Sequence, residues 1–238
     1  MKRVTLLSAA VAVALCLLPA LARSADEPKK DADSKESDAR QAAATEPKPD
    51  ADGFIPLFNG KDLDGWKANE KPDVFKVVDG NIVVNGPVCH LFYVGPVQNH
   101  EFKDFHFKAQ VMTFPNSNSG IYFHTKYQEK GFPNAGFECQ VNNTYKADPK
   151  KTGGLYAIKD VMNTAPVGDN EWFDYDIIVK GKHVEIKING KTTADWTQPD
   201  DWKPRGFSAR QIGSGTFALQ GHDPGSKVMY RNIRVKPM

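Results

Sequence analysis

Between Phe54 and Lys236 the chain is a succession of short segments in which apolar and polar residues alternate, with no helical repeat over any long window. A period of two places successive side chains on opposite faces of a sheet. Asp79-Gly80 separates Val74–Val78 from Asn81–Val84, and Asn189-Gly190 follows Val184–Ile188. Such dipeptides close tight hairpins, because the turn needs positive φ at both residues. Phe105 to Phe114 has Phe105, Phe107, Ala109 and Val111 on one face, and Tyr175–Val179, Phe217–Gln220 and Val228–Val235 read as further strands. Many short strands joined by tight turns predict an all-β fold, a two-sheet antiparallel β-sandwich of the jelly-roll kind.

Two strands carry most of the functional information. Ser119-Gly120-Ile121-Tyr122-Phe123-His124 is followed by Gly136-Phe137-Glu138-Cys139-Gln140-Val141-Asn142. Alternation sends Phe137, Cys139 and Val141 to the core, and Glu138, Gln140 and Asn142 to the other face. A sheet face this rich in carboxylate and amide groups suits a carbohydrate.

Composition narrows the alternatives. The chain has 238 residues and a formal net charge of +2. Its Lys and Arg residues are scattered among Asp and Glu, which gives no electrostatic case for nucleic acid. Met1-Lys2-Arg3, the apolar run Val4 to Leu21 and the small residues Ala20 and Ala22 form a signal peptide pattern over residues 1–22. An uncleaved anchor is the alternative, since the run approaches the lower length of a spanning helix. Leu15 before Cys16 argues against lipidation. After signal cleavage no stretch is left that could span a membrane. Residues 23–52 lack aromatics and are dominated by charged residues, Ser, Ala and Pro, the composition of a disordered linker. The remaining domain, 53–238, is expected to be exported, to the periplasm or outside the cell. Cys89 and Cys139 either pair with each other or stay as separate buried thiols. Neither has a metal-ligand spacing, and no cofactor or metal is called for. Asn59 to Gly65 resembles a calcium loop only loosely and reads better as an Asx-rich turn. Oligomeric state is not encoded in any pattern we find.

The order of several motifs is similar to one family. These are Phe54-x-x-Leu57-Phe58-Asn59-Gly60-Lys61-Asp62-Leu63-Asp64-Gly65-Trp66, Ser117-Asn118-Ser119-Gly120-Ile121, Gly136-Phe137-Glu138-x-Gln140, Thr152-Gly153-Gly154-Leu155-Tyr156, Glu171-Trp172, Asn189-Gly190-Lys191, Leu219-Gln220-Gly221-His222 and Arg231-Asn232-Ile233. Together they resemble the 3-keto-disaccharide hydrolase domain over about Phe54 to Lys236. The resemblance implies a concanavalin-like jelly roll and cleavage of glycosides whose sugar is first oxidised to a ketone at C3. One position departs, since His124 stands where the family commonly has Arg.

Ordinary glycosidases flank the bond with two carboxylates. Related enzymes on the concanavalin-like scaffold resemble one another in carrying them on one strand at Glu-x-Asp-x-x-Glu spacing. Here the comparable strand reads Glu138-x-Gln140-x-Asn142-Asn143, with a single carboxylate. A 3-keto sugar needs fewer. Its carbonyl acidifies the C2 hydrogen, one base removes it, the enolate expels the C1 substituent, and water then adds back. Glu138, His222 and His124 are the candidate catalytic residues for base, enolate stabiliser and proton donor. Gln140, Tyr122, Tyr156, Asn142, Gln220 and Lys159 are candidate substrate-binding residues. His90, His100, His106 and His183 have no such company and read as incidental. Two rivals need no turnover: a carbohydrate-binding module and an envelope interaction domain.

Overall fold

A computed structural model describes residues 46–204 and 210–238. The signal peptide and most of the linker read from the sequence lie outside the described residues. Among them no helix is long and apolar enough to cross a membrane. The first strands are β1 (Ile55–Pro56), β2 (Trp66–Ala68), β3 (Phe75–Val78), β4 (Asn81–Asn85) and β5 (Cys89–Tyr93). Next come β6 (Phe105–Thr113), β7 (Ser119–Thr125), β8 (Phe137–Val141), β9 (Lys150–Leu155) and β10 (Lys159–Met162). The last are β11 (Phe173–Lys180), β12 (His183–Ile188), β13 (Lys191–Thr197), β14 (Thr216–Gly221) and β15 (Lys227–Pro237). They form two antiparallel sheets, β13-β12-β11-β6-β15-β4-β3 with β1 on β15, and β10-β9-β8-β7-β14-β5-β2. The all-β sandwich expected from the sequence is the fold observed.

The hairpin dipeptides act as read. Asp79 and Gly80 have φ of 49° and 76°, and Asn189 and Gly190 have 49° and 76°, the positive values a tight hairpin requires. Along β6 burial alternates strictly, with Phe105, Phe107, Ala109 and Val111 inside. The two sheets meet on a continuous apolar layer in which Phe217 packs against Phe102, Phe105 and Phe107. Phe137, Cys139 and Val141 face this layer, as the alternation of β8 predicts. Cys89 and Cys139 are both buried and both free.

β7 departs from simple alternation. Its pairing with β14 joins Thr125 to Thr216 but Tyr122 to Ala218, so β7 carries one extra residue between those pairs. This is a β-bulge, and within it His124 has φ of 53°. The bulge ends the period-two relation between Tyr122 and His124. Tyr122 therefore lies on the outer face of the sheet, while His124 packs edge-on against Phe105 and Phe123.

Candidate functional site

The outer face of the second sheet holds a cleft of about 830 Å³. Glu138, on β8, lines it. Tyr122 faces it directly across the β7–β8 pair and donates its hydroxyl proton to Glu138 Oε2 at 2.9 Å. Gln220, on β14, donates from Nε2 to Glu138 Oε1 at 3.2 Å and to Tyr122 Oη at 3.0 Å. Burial pushes the Glu138 carboxyl up to about 7, against the opposing pull of Tyr122, Arg210 and Gln220. Such a carboxyl changes charge near neutral pH, as a general base should. Burial and the neighbouring Glu138 drive Tyr122 well above its ordinary value, so it stays a neutral donor.

Gly120 makes this possible. A Cβ built there would lie 2.5 Å from Glu138 Oε1. The Ser-Gly-Ile run thus leaves the space that the carboxylate fills. Gly120→Ala is expected to displace the Glu138 side chain and lower kcat at least tenfold. The displaced atoms are the flexible end of a side chain, so the fold should persist. Unchanged kinetics with an unchanged circular dichroism spectrum would show that the carboxylate position is not set by Gly120.

His222 follows β14 and joins the same cleft. Its Nδ1 lies 2.8 Å from Asp223 Oδ2 and its Nε2 lies 3.1 Å from Asn118 Nδ2. A carboxylate only accepts and an amide nitrogen only donates, so the proton sits on Nδ1 and Nε2 offers its lone pair. Asp223 also accepts from Ser226 Oγ and from the Gly225 amide. Burial raises the Asp223 carboxyl, but the hydrogen bonds from Ser226 and His222 outweigh it and hold the group below its ordinary value. This is the arrangement in which a carboxylate orients a catalytic imidazole.

A second carboxylate enters from a loop. Asp148 lines the cleft from the β8–β9 connection. Its Oδ2 accepts from Tyr156 Oη at 3.0 Å and its Oδ1 from the Lys150 amide at 2.9 Å. Burial first, then Asp148, raises the Tyr156 phenol to about 12. Arg210, Phe132 and Pro133 complete the wall.

Of the residues singled out in the sequence, Glu138, His222, Gln140, Tyr122, Tyr156 and Gln220 converge on the cleft. Three do not. His124 was expected as a catalytic group, but it is nearly buried, its Nε2 lies 2.8 Å from the Lys103 carbonyl and its Nδ1 accepts from the Gly213 amide. The bulge in β7 turns it away from Tyr122. Asn142 is buried and spends its amide on the loop, donating to the Asp148 and Lys150 carbonyls and accepting from the Tyr145 amide. Its side chain shapes the turn that presents Asp148. Lys159 is exposed on β10, away from the cleft. The sequence reading missed Asn118, Asp148, Arg210 and Asp223, which come from connections between strands. The one available signal was Asn118, inside the Ser-Asn-Ser-Gly motif.

The wall also carries unused acceptors. Asn118 Oδ1, Gln140 Oε1 and Gln220 Oε1 are buried and accept no hydrogen bond from the described residues. Buried amide oxygens are usually paired, and hydroxyl donors would match them.

A family model described as the 3-keto-alpha-glucoside-1,2-lyase-like domain matches residues 53–236. A Bacteroides thetaiotaomicron protein named 3-keto-disaccharide hydrolase is 32% identical over 81 residues, covering 31% of this chain and only 28% of that protein. A crystal structure of a Parabacteroides distasonis protein described as a glycosyl hydrolase superposes with a TM-score of 0.66 at 27% identity, covering 79% of this chain and 95% of that one. A Bacillus subtilis protein with a galectin-like fold gives 0.55 at 13% identity over 81% of this chain and 97% of its own, a likeness of fold alone. With the family model spanning the whole sandwich and its cleft, the chain belongs to the 3-keto-alpha-glucoside-1,2-lyase-like domain family.

Proposed function

We propose that this protein cleaves glycosidic bonds of 3-keto-glycosides, such as 3-keto-disaccharides, by elimination followed by hydration. A glycoside-cleaving role has the support of the family and of the relatives' names. The observation that carries the finer reading is Glu138, a carboxyl raised to about 7 in a sugar-sized cleft. Glu138 takes the C2 hydrogen as a proton. The electron pair moves into the C2–C3 bond, and the ketone oxygen becomes an enolate. The Arg210 guanidinium supplies positive charge beside it. Collapse of the enolate breaks the C1–O bond, and protonated Glu138 passes its proton to the leaving oxygen. The Nε2 lone pair of His222 then draws a proton from the water that adds to C1, with Asp223 supporting the imidazolium, and that proton passes on to C2. Atoms and charge balance over the cycle, with one water consumed. We further propose that the protein works outside the cytoplasm, on the strength of its N-terminal sequence pattern.

Asp148 favours a second reading. With Glu138 it makes two carboxylates in one cleft, the complement of an ordinary glycosidase. Turnover of a 3-keto-disaccharide beside its unoxidised parent separates the two. Elimination predicts cleavage of the keto sugar alone. Equal cleavage of both would establish the two-carboxylate route, and turnover of neither, with sugar still retained on an affinity column, would establish a binding module.

A further inference from the structure

A buried lysine stands under the β8–β9 connection and takes no direct part in the chemistry. Lys151, on β9, is 6% exposed, a burial that lysine tolerates only when its charge is paired. Its Nζ donates to Asn142 Oδ1 at 3.2 Å, to the Tyr145 carbonyl at 2.8 Å and to the Asp148 carbonyl at 3.0 Å. Three acceptors use all three protons of an ammonium. Burial pulls the group below its ordinary value, and the Asp148 and Asp169 carboxylates oppose that pull.

The three oxygens belong to one turn, residues 142–148. Their dipoles point inward at one place, an arrangement that repels itself unless a cation lies at its centre. Asn142 closes the turn by donating from Nδ2 to the Asp148 and Lys150 carbonyls. Thr144 ties it at a second level, donating its hydroxyl to Asp169 Oδ2 and accepting from the Asn116 amide. With these oxygens held inward, the turn presents side chains to the cleft. Asp148 lines it, and the Tyr145 ring meets His222 edge-on at 5.3 Å. The cation therefore holds the wall beside His222, the group that activates water.

We propose that Lys151 is a positioning residue for the hydration half of the reaction: its ammonium fixes the turn that seats Tyr145 against His222 and Asp148 in the cleft. This rests on the reading of elimination at Glu138 followed by hydration. Glu138 itself is held by Tyr122 and Gln220 from β7 and β14, on the side of β8 away from this turn. The two halves of the reaction thus have separate supports.

The test follows single turnovers of a 3-keto-disaccharide on the full chain. Release of the leaving sugar reports elimination. Conversion of the unsaturated ketone, with its C1–C2 double bond, to the hydrated sugar reports the second half. In Lys151→Ala hydration should fall by about tenfold or more, the effect of a misplaced catalytic group. The leaving sugar should still appear at the wild-type rate, so the unsaturated ketone accumulates. Propylammonium, which replaces the deleted atoms of the side chain, should restore hydration, and 1-propanol should not. Tyr145→Ala should give the same split with the buried charge untouched, so it carries the test if Lys151→Ala folds poorly. Equal loss of both halves, hydration at the wild-type rate in either variant, no rescue of the folded Lys151→Ala by the amine, or rescue by 1-propanol as well overturns the proposal. Wild-type protein that releases no leaving sugar, yet hydrates the unsaturated ketone when it is supplied, counts against elimination at Glu138 and leaves Lys151 to be judged on hydration alone. Wild-type protein that does neither overturns both.

Discussion

Glu138→Gln is expected to lower kcat on a 3-keto-disaccharide by about 10²–10⁴, the range for loss of a general base. The substitution keeps the shape and can still accept from the Tyr122 hydroxyl, so the cleft should persist. In the unsubstituted protein kcat/KM should rise with pH through about 7 as Glu138 ionises, and the variant should lose that limb. Stability moves the opposite way. The folded carboxyl sits at about 7 against an ordinary value of 4.5, so the folded state holds a proton that the unfolded chain releases between these pH values. Stability is therefore fully present below pH 4.5 and falls as pH rises through 7, by about 3 kcal/mol in all. Glutamine has no such titration. Above pH 7 the variant should melt several degrees higher than the wild type. An inactive variant that also melts lower at pH 8 would mean that the carboxylate is structurally required.

Phe137→Ala should give the largest stability loss of any single change considered. Phe137 is 1% exposed, stacks on Phe123 with centroids 5.2 Å apart, and meets Trp196 at 5.7 Å. Removing a buried phenyl ring costs about 3–5 kcal/mol, read in urea melts as a lower midpoint at unchanged slope. A loss under about 1 kcal/mol would mean that β8 is shifted by one residue, with Glu138 in the core.

Where a strand has one core face and one polar face, its sequence declares it. The strict alternation of β6 and of Phe137 to Val141 made both strands and their inward residues legible, and the positive-φ dipeptides marked the hairpins. β5 was harder. Cys89-His90-Leu91-Phe92-Tyr93 is buried on both faces, so it shows no alternation. His124 was misplaced for a different reason. Period-two counting from Tyr122 assumes a regular strand, and the extra residue in β7 breaks that count. Asp148, Asp223 and Arg210 come from connections, where no periodicity links sequence position to direction. The cleft floor was therefore readable, and its rim was not.

Elimination begins with a proton leaving C2. Solvent exchange of that hydrogen measures the step directly. Incubating a 3-keto-disaccharide with the protein in deuterated solvent should place deuterium at C2, and Glu138→Gln should abolish both this exchange and turnover. Cleavage without any deuterium at C2, in substrate or product, would contradict elimination, as would cleavage of the unoxidised parent at the same rate.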